Sequence, residues 1–319
     1  MRILPATAVV ATRNRAHTLR QTLASLERQH VLPAEMIVVD ASDDSMTRDV
    51  LGEFSLRVRE SCLVTWMAAD ITGAAAQRNQ GLVAATHTSI LFLDDDILFE
   101  PECVIRLWNV LQSDSRLGGV NAMIVNQRYQ PPGRVSRALF TLLHGHREAS
   151  FAGRVIGPAV NLLPEDRDDL PEVVPVEWLN TTCTLYRRDA LPSPPFDAVF
   201  SGYSMMEDLT LSLRVAARWR LANARTARIF HDSHRGARKA DVSAMAAMEV
   251  VNRHYVMTEV LGRRGVADYG RLLLWEAFQL AACAALSQTR PTLKAEWQGK
   301  VRGLRQIRTA RLQRARLDA

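Results

Sequence analysis

Cysteine and long apolar runs are both scarce in this sequence of 319 residues. The four cysteines stand at positions 62, 103, 183 and 283, and no two of them are at Cys-x-x-Cys spacing. This spacing argues against a zinc knuckle or a disulfide framework and favours a reducing, cytoplasmic compartment. The longest apolar stretch runs from Leu272 to Leu286 and contains Glu276 and Gln279. Since a membrane-spanning helix needs roughly 20 apolar residues, we expect a buried or interfacial helix there.

Glycine-rich phosphate-binding loops are also absent. The first predicted turn, Thr12-Arg13-Asn14-Arg15, contains no glycine, and no G-x-x-x-x-G-K-[ST] sequence occurs. A Rossmann dehydrogenase needs G-x-G-x-x-G in that turn, and a P-loop enzyme needs the second sequence. Both classes are therefore disfavoured. A sugar-nucleotide pyrophosphorylase would likewise need a glycine-rich first loop.

The positive charge is concentrated at one end of the chain. Of 40 Lys and Arg residues, eight lie in residues 294–319, against only two of the 34 Asp and Glu residues. The rest of the chain is neutral, which argues against a nucleic-acid-binding body. The basic segment suggests contact with phosphates or anionic lipid, although a solvated terminal helix explains it equally well.

The first 125 residues alternate between two periodicities. Short apolar runs predict strands at Thr7–Ala11, Met36–Val39, Leu63–Met67, Ser89–Leu93 and Val120–Val125. Helical spacing occurs between several of them, at His17–Gln29, Gly73–Ala85 and Pro101–Leu111. This alternation predicts an α/β fold with a mostly parallel sheet and helices on both faces. In such sheets, ligands bind beyond the carboxyl ends of the strands.

The pattern weakens over residues 126–175, where we expect loops and one helix near residues 135–144. Regular patterns then predict a strand at Thr181–Arg187, a helix at Glu207–Trp219 and a strand at Ala227–His231. Three helical segments follow, at Val242–Leu261, Asp268–Leu286 and Leu293–Arg316. We therefore expect an α/β domain over residues 1–238, with halves 1–125 and 126–238, and a helical region over residues 239–319.

Acidic residues follow two of the predicted strands. Asp40 ends the second strand, where a carboxylate can bind a base or a ribose but is also common in turns. Asp94, Asp95 and Asp96 directly follow the fourth strand and precede another apolar run. Three like charges in apolar sequence need compensation, and a Mg²⁺ or Mn²⁺ ion that bridges to phosphate oxygens would provide it. A surface turn is the alternative.

Two helix starts carry further polar residues. Arg78 and Asn79 lie in the first turns of the helix that begins at Gly73, where an arginine can hold a diphosphate. Glu207 and Asp208 begin an apolar helix. A capping role explains one of these two acids, and the pair could instead provide a general base.

Six segments in this order resemble the family 2 glycosyltransferases with a GT-A fold, over roughly residues 7–231. They are VVATRNR, IVVDASDD, GAAAQRNQGL, FLDDD, WLNTTCTLYRRDAL and MEDLTLSLR. The resemblance implies a GT-A fold with a helical C-terminal extension. Ala41 stands where Asn or Asp is frequent in the family, which leaves the base and the nucleotide open.

The same resemblance implies roles for individual residues. Asp40 would contact the base of the donor, Arg78 would lie near its diphosphate, and Asp208, beside Glu207, would be the catalytic base. Asp94 and Asp96 would hold the metal, Mn²⁺ or Mg²⁺, together with a histidine, for which His231 is favoured over His234. The remaining expected donor-binding residues are Thr12, Arg13, Asn14, Asn79 and Asp95, with Asp94 also on the donor side.

The expected function is metal-dependent, inverting transfer of a sugar from a UDP- or dTDP-sugar to a hydroxyl group. The acceptor would be a glycan or lipid-linked glycan of a cell-envelope polysaccharide, at the cytoplasmic face of the cell membrane. The basic C-terminal helix would then contact anionic lipid; no nucleic-acid partner is expected, and a homo-oligomer is left open. The alternatives are a non-catalytic nucleotide-sugar or glycan-binding module and a sugar-nucleotide pyrophosphorylase.

Overall fold

The structure, a computed structural model, describes residues 2–200, 202, 204–232 and 241–317, with side chains of the last helix described to residue 310. The chain forms two compact units. Unit 1 comprises residues 1–131, 152–154 and 162–233, and unit 2 comprises residues 132–151, 155–161 and 234–319. Two segments of the weakly patterned stretch thus group with the C-terminal helices.

Unit 1 is built on a nine-stranded mixed sheet, with the path β3-β2-β1-β4-β10-β6-β11-β5 and β9 paired to β11. Strands β1 to β4 are parallel to one another, whereas β10 runs antiparallel to both β4 and β6. The strands are β1 Arg2–Thr12, β2 Val31–Asp40, β3 Leu63–Ala68, β4 Ser89–Leu93, β5 Ile97–Phe99, β6 Leu117–Ile124, β9 Val173–Val176, β10 Cys183–Arg187 and β11 Arg220–His231.

Five α-helices of unit 1 complete this fold. They are α1 Ala16–Glu27, α2 Met46–Val58, α3 Ala74–Ala84, α4 Cys103–Ser113 and α6 Glu207–Ala216. The mostly parallel α/β prediction is confirmed, and each predicted strand is present. Helix α2 was not predicted, although Val50, Phe54 and Val58 form its buried side. β11 begins seven residues earlier than predicted, at Arg220, because its first half pairs with β6 and β9, which are distant in sequence.

The sheet brings the polar strand ends to one edge. Thr12 and Asp40 are register partners at the ends of β1 and β2, and Asp94 follows the end of the neighbouring β4. Helix α3 approaches β1 closely at Gly81, where an added Cβ atom would lie 2.6 Å from Cγ1 of Val9. In the first turn of α3, Nε2 of Gln77 donates hydrogen bonds of 2.9 and 2.7 Å to the carbonyls of Thr12 and Val39, which places the start of the helix over the strand ends.

Unit 2 consists of helices and a short hairpin. Its elements are α5 Arg134–His144, β7 Val155–Ile156, β8 Val160–Asn161, α7 Val242–Tyr255, a π-helix Val256–Val260, α8 Val266–Ala285, a 3-10 helix Arg290–Thr292 and α9 Leu293–Leu317. The predicted helices are all present. Among the described residues, no helix combines the length and the hydropathy that crossing a membrane requires.

Buried charges join the helices of unit 2. Lys300 on α9 is only 3% exposed and donates hydrogen bonds to Glu276 and, at 2.7 Å, to Oε1 of Gln279, both on α8. Arg253 on α7 lies 3.4 Å from Oε1 of the same Glu276 and donates a hydrogen bond to Glu249. The basic C-terminal segment is therefore not uniformly a solvated face, because one of its lysines is a buried partner of Glu276.

Replacement of Glu276 by alanine should strongly destabilise the fold. The change leaves two buried cations, Lys300 and Arg253, without their shared carboxylate, and breaking such a buried pair typically costs about 3–5 kcal/mol. Urea denaturation would measure the free energy of unfolding. The matched control is Glu53→Ala, which removes the exposed partner of Arg20 on the surface of α2 and should have little effect. Equal losses in the two variants would contradict the role of Glu276.

Candidate functional site

Asp95 and Asp96 share one arginine. Nη1 of Arg15 donates hydrogen bonds of 2.9 Å to Oδ1 of Asp95 and to Oδ2 of Asp96, and both carboxylates are buried. Thr12 donates a further hydrogen bond of 2.6 Å to Oδ2 of Asp95. Burial raises the pKa of Asp95 to about 6 despite these contacts. Protein groups thus provide part of the charge compensation that the sequence assigned to a metal ion.

Arg78 links the acidic triplet to the Glu-Asp pair. Its Nη2 atom donates a hydrogen bond of 2.6 Å to Oδ1 of Asp94, and its Nη1 atom donates one of 3.1 Å to Oε1 of Glu207. The side chain of Arg78 is 5% exposed, and its guanidinium lies 5.6 Å from the ring centre of Phe196. A single buried cation therefore bridges the start of α6 and the end of β4.

His231 lies beside two of the three acids. Nε2 of His231 is 3.0 Å from Oδ1 of Asp96 and 4.0 Å from Oδ2 of Asp94, and Nδ1 is 3.0 Å from Nε2 of Gln127. Burial of Asp96 opposes its ionisation, but the hydrogen bond and charge of His231, with the charge of Arg15, lower the pKa of Asp96 overall. The ligand atoms of Asp94, Asp96 and His231 all lie within 4.8 Å of one another. His234 lies outside the described residues.

Glu207 and Asp208 begin α6 in different environments. Burial and the neighbouring charge of Asp208 raise the pKa of Glu207 to about 8, although Arg78 opposes this shift. Burial raises the pKa of Asp208 to about 6, while a hydrogen bond of 2.7 Å from the backbone N–H of Leu209 favours its ionised form. Burial thus makes both carboxyl groups harder to ionise than in water, while the charge of Arg78 favours the ionised form of each.

Asp40 lies at a second polar site, at the end of β2. Its Oδ1 atom accepts a hydrogen bond of 2.9 Å from the N–H of Ser42, and its Oδ2 atom accepts one of 3.1 Å from Nε1 of Trp66. The guanidinium carbon of Arg48 is 4.0 Å from the centre of the Trp66 ring, a cation–π contact. These side chains border a cavity of about 370 Å³, lined by Asp40, Ser42, Asp43, Asp44, Ser45, Arg48, Trp66 and Ala68.

The other expected donor-binding residues are placed differently. Asn14 joins the first turn to the second, because its amide group exchanges hydrogen bonds of 2.8 and 2.9 Å with Asp43. Arg13 is exposed in the same turn. Asn79 exchanges hydrogen bonds of 2.8 and 3.1 Å with the backbone of Phe196, so its amide supports a loop.

Sequence reasoning missed four polar or aromatic residues of these sites. Arg15 stood in the quoted first turn but had no visible partner, since Asp95 is 80 residues away in sequence. Trp66 and Arg48 lie on separate elements that meet only in the folded chain. Gln127 follows β6 in a stretch without pattern. Trp66 lies in the apolar run that predicted β3, and this position was a usable signal in the sequence. Arg15, Arg48 and Gln127 offered no such signal.

Solved structures share this architecture. A mannosyltransferase from Pyrobaculum calidifontis in complex with GDP-Man and Mn²⁺ superposes with a TM-score of 0.56 and 15% identity, over 94% of this chain and 87% of that chain. GalNAc-T7 with UDP, GalNAc and Mn²⁺ gives a TM-score of 0.51 and 14% identity, over 77% of this chain and 47% of that chain. The fold is thus that of the GT-A glycosyltransferases.

The sequence places the chain within that class. The model of glycosyl transferase family 2 matches residues 7–191. This range contains Asp40 and the acidic triplet after β4, whereas Glu207, Asp208 and His231 lie beyond it. This chain belongs to the family 2 glycosyltransferases, and the protein is a glycosyltransferase enzyme. A search of curated proteins by sequence found no match. Family membership favours sugar transfer over the pyrophosphorylase and binding-module alternatives.

Proposed function

We propose that this enzyme transfers a sugar, with inversion at the anomeric carbon, from a UDP- or dTDP-sugar to a hydroxyl group of a glycan or lipid-linked glycan. The observation that supports this most directly is the link made by Arg78. One guanidinium contacts both Asp94, of the expected metal motif, and Glu207, beside the expected base. The residues expected to stabilise the leaving group therefore lie near the pair expected to remove the proton, within unit 1.

The ligand set at the end of β4 fits a divalent cation. Asp94 and Asp96 supply carboxylate oxygens and His231 supplies an imidazole nitrogen, with the ligand atoms within 4.8 Å of one another. Oxygen ligands suit Mg²⁺ and Mn²⁺, which bind few protein carboxylates and complete their shell with substrate phosphates. When bound, such a cation neutralises the charge that develops on a departing diphosphate.

We assign the cavity beside Asp40 to the nucleobase of the donor. The face of Trp66 offers a stacking surface, and the Asp40 carboxylate accepts hydrogen bonds from an N–H group such as N3 of a uracil or thymine ring. Arg13 and Asn14, in the exposed turn between this cavity and Asp95, are in place to contact the sugar or phosphate part. Thr12 and Asn79 support these elements through their hydrogen bonds.

In this mechanism Asp208 acts as the general base. It accepts the proton of the acceptor hydroxyl as the oxygen attacks the anomeric carbon, and the bond from that carbon to the diphosphate oxygen breaks on the opposite face. Asp208 suits this role because the hydrogen bond from the backbone N–H of Leu209 to its Oδ1 atom favours the ionised form that a base requires. Glu207, held by Arg78, is in place to orient the acceptor.

We further propose that unit 2 contacts anionic lipid through α9. Arg302, Arg305 and Arg308 are exposed on this helix, while Val301 and Leu304 are half-buried. The contact would therefore be chiefly electrostatic, worth about 1 kcal/mol per basic residue near the surface and screened by salt.

Donor binding should require the metal ligands. Asp96→Ala removes one carboxylate from the proposed cation site, so the rise in Tm produced by UDP- or dTDP-sugar with Mn²⁺ should disappear. Asp96→Asn, which preserves the size of the side chain, guards against a folding defect and should behave in the same way. The control is Asp49→Ala, at an exposed carboxylate of α2. A normal Mn²⁺-dependent shift in both Asp96 variants would remove the metal assignment. Mg²⁺ in place of Mn²⁺ would identify the preferred ion.

Loss of Asp208 should affect chemistry more than donor binding. Asp208→Asn preserves size but cannot accept the proton, so transfer should fall by about 10²–10⁴-fold with nearly unchanged nucleotide-sugar affinity. Glu207→Gln should be milder. In the unmodified enzyme, kcat/KM should fall on the acid side with an apparent pKa about 6, because protonated Asp208 cannot act as a base. If Glu207→Gln abolishes transfer while Asp208→Asn remains active, Glu207 is the base instead of Asp208. If both variants remain active, neither residue of the pair is the base.

Flotation with liposomes tests the lipid contact. At low salt the protein should float with vesicles that contain anionic lipid and not with neutral vesicles, and added salt should release it. A variant with Arg302, Arg305 and Arg308 changed to glutamine should lose flotation, whereas changing the exposed Arg13 should not. Equal flotation with both kinds of vesicle would contradict the proposal.

A further inference from the structure

Two histidines and a glutamate converge at the end of α5 in unit 2. His144 is the last residue of the helix, and His146 and Glu148 follow at every second position. Nε2 of His146 is 3.0 Å and Nε2 of His144 is 3.5 Å from the same oxygen, Oε1 of Glu148. All three ligand atoms lie within 4.8 Å of one another.

One of these three ligand atoms makes no hydrogen bond to the described part of the protein. Nε2 of His144 is buried and has no hydrogen-bond partner in the part of the chain that the structure describes. A buried polar nitrogen without a partner is costly, so such an atom points to a ligand or an ion. The side chain of His144 is only 14% exposed, whereas that of His146 is 63% exposed, so the cluster is open to solvent on one side.

The local backbone is shaped to bring the two imidazoles together. Gly145 adopts a left-handed conformation with φ 97°, and its N–H donates a hydrogen bond of 2.8 Å to the carbonyl of Thr141. This glycine cap ends α5 and turns the chain back, so that the His146 ring lies 4.1 Å from the His144 ring. The edge-to-face contact of His144 with Phe151, at 5.9 Å, holds the first ring in place.

We propose that His144, His146 and Glu148 form a second metal site, which binds Zn²⁺ with water completing a tetrahedral shell. Two histidines and one glutamate are an established Zn²⁺ ligand set, and metal–ligand distances of about 2.0–2.2 Å place tetrahedral ligand atoms about 3.4 Å apart. The separations of 3.0 and 3.5 Å from Glu148 lie close to that value.

This site differs in chemistry from the one at Asp94 and Asp96. It offers two imidazole nitrogens and one oxygen, whereas the site in unit 1 offers two oxygens and one nitrogen. Imidazole favours Zn²⁺, while carboxylate-rich sites suit Mn²⁺ and Mg²⁺. The chain can therefore hold Zn²⁺ in unit 2 while Mn²⁺ or Mg²⁺ occupies unit 1. The proposal does not depend on the proposed transfer reaction.

A titration of the full chain with Zn²⁺ tests the site. The protein is freed of metal and of any affinity tag, and excess Mn²⁺ is present so that the unit 1 ligands are occupied. Calorimetry should show one Zn²⁺ bound per chain, and Co²⁺ in place of Zn²⁺ should give the visible absorption of a four-coordinate ion. His146→Ala and Glu148→Gln should each weaken binding by at least about tenfold, since loss of even an outer-shell contact costs about 10–100-fold.

Two controls separate this site from other histidines and carboxylates. His17→Ala removes an exposed histidine on α1 and should bind Zn²⁺ normally. Asp96→Ala disrupts the unit 1 cluster and should retain the Zn²⁺ site. Loss of Zn²⁺ binding in Asp96→Ala, with normal binding in His146→Ala and Glu148→Gln, would place the ion in unit 1 and overturn the proposal. Absence of stoichiometric binding in the unmodified protein would reduce the cluster to the hydrogen bond of His146 with Glu148 and the 3.5 Å contact of His144 with it, and would also overturn the proposal.

Discussion

The site depends on the sharing of guanidinium groups, one buried and one partly exposed, between carboxylates that would otherwise repel one another. Arg15 is held between Asp95 and Asp96, and Arg78 between Asp94 and Glu207. Uncompensated charges at this depth would neutralise or would push the segment apart. Arg15 joins two neighbouring acids of one turn, whereas Arg78 holds together carboxylates of two separate elements, Asp94 after β4 and Glu207 at the start of α6.

The same burial that makes these arginines necessary also differentiates the acids. Burial raises the pKa of Asp95, Asp208 and Glu207, whereas His231 and Arg15 lower that of Asp96. Chemically similar side chains in one site therefore differ in how readily they ionise. Environment, more than residue type, distinguishes Glu207 from its neighbour Asp208.

Charge has a different use in unit 2. The network of Lys300, Glu276 and Arg253 ties three helices together inside the unit, while Arg302 and Arg305, a little further along α9, remain exposed. The basic character of the C-terminal segment therefore combines an internal role with a surface one. A count of charges along the chain cannot separate the two, because burial depends on which face of α9 packs against α7 and α8.

Local pattern alone predicted most of the helices and strands, although not α2, and where acidic residues follow them. Continuous apolar strands between helices, the acids after β2 and β4, and the pair at Glu207 and Asp208 were all readable, because periodicity and strand-end position are properties of neighbouring residues. What only the tertiary structure decided was the pairing. Arg78 joins Asp94 to Glu207, which lies 129 residues beyond Arg78, and Arg15 joins Asp95 to Asp96. Both contacts follow from the crossing order of the sheet. Contacts between distant residues depend on the packing of whole elements, which no short stretch of sequence contains.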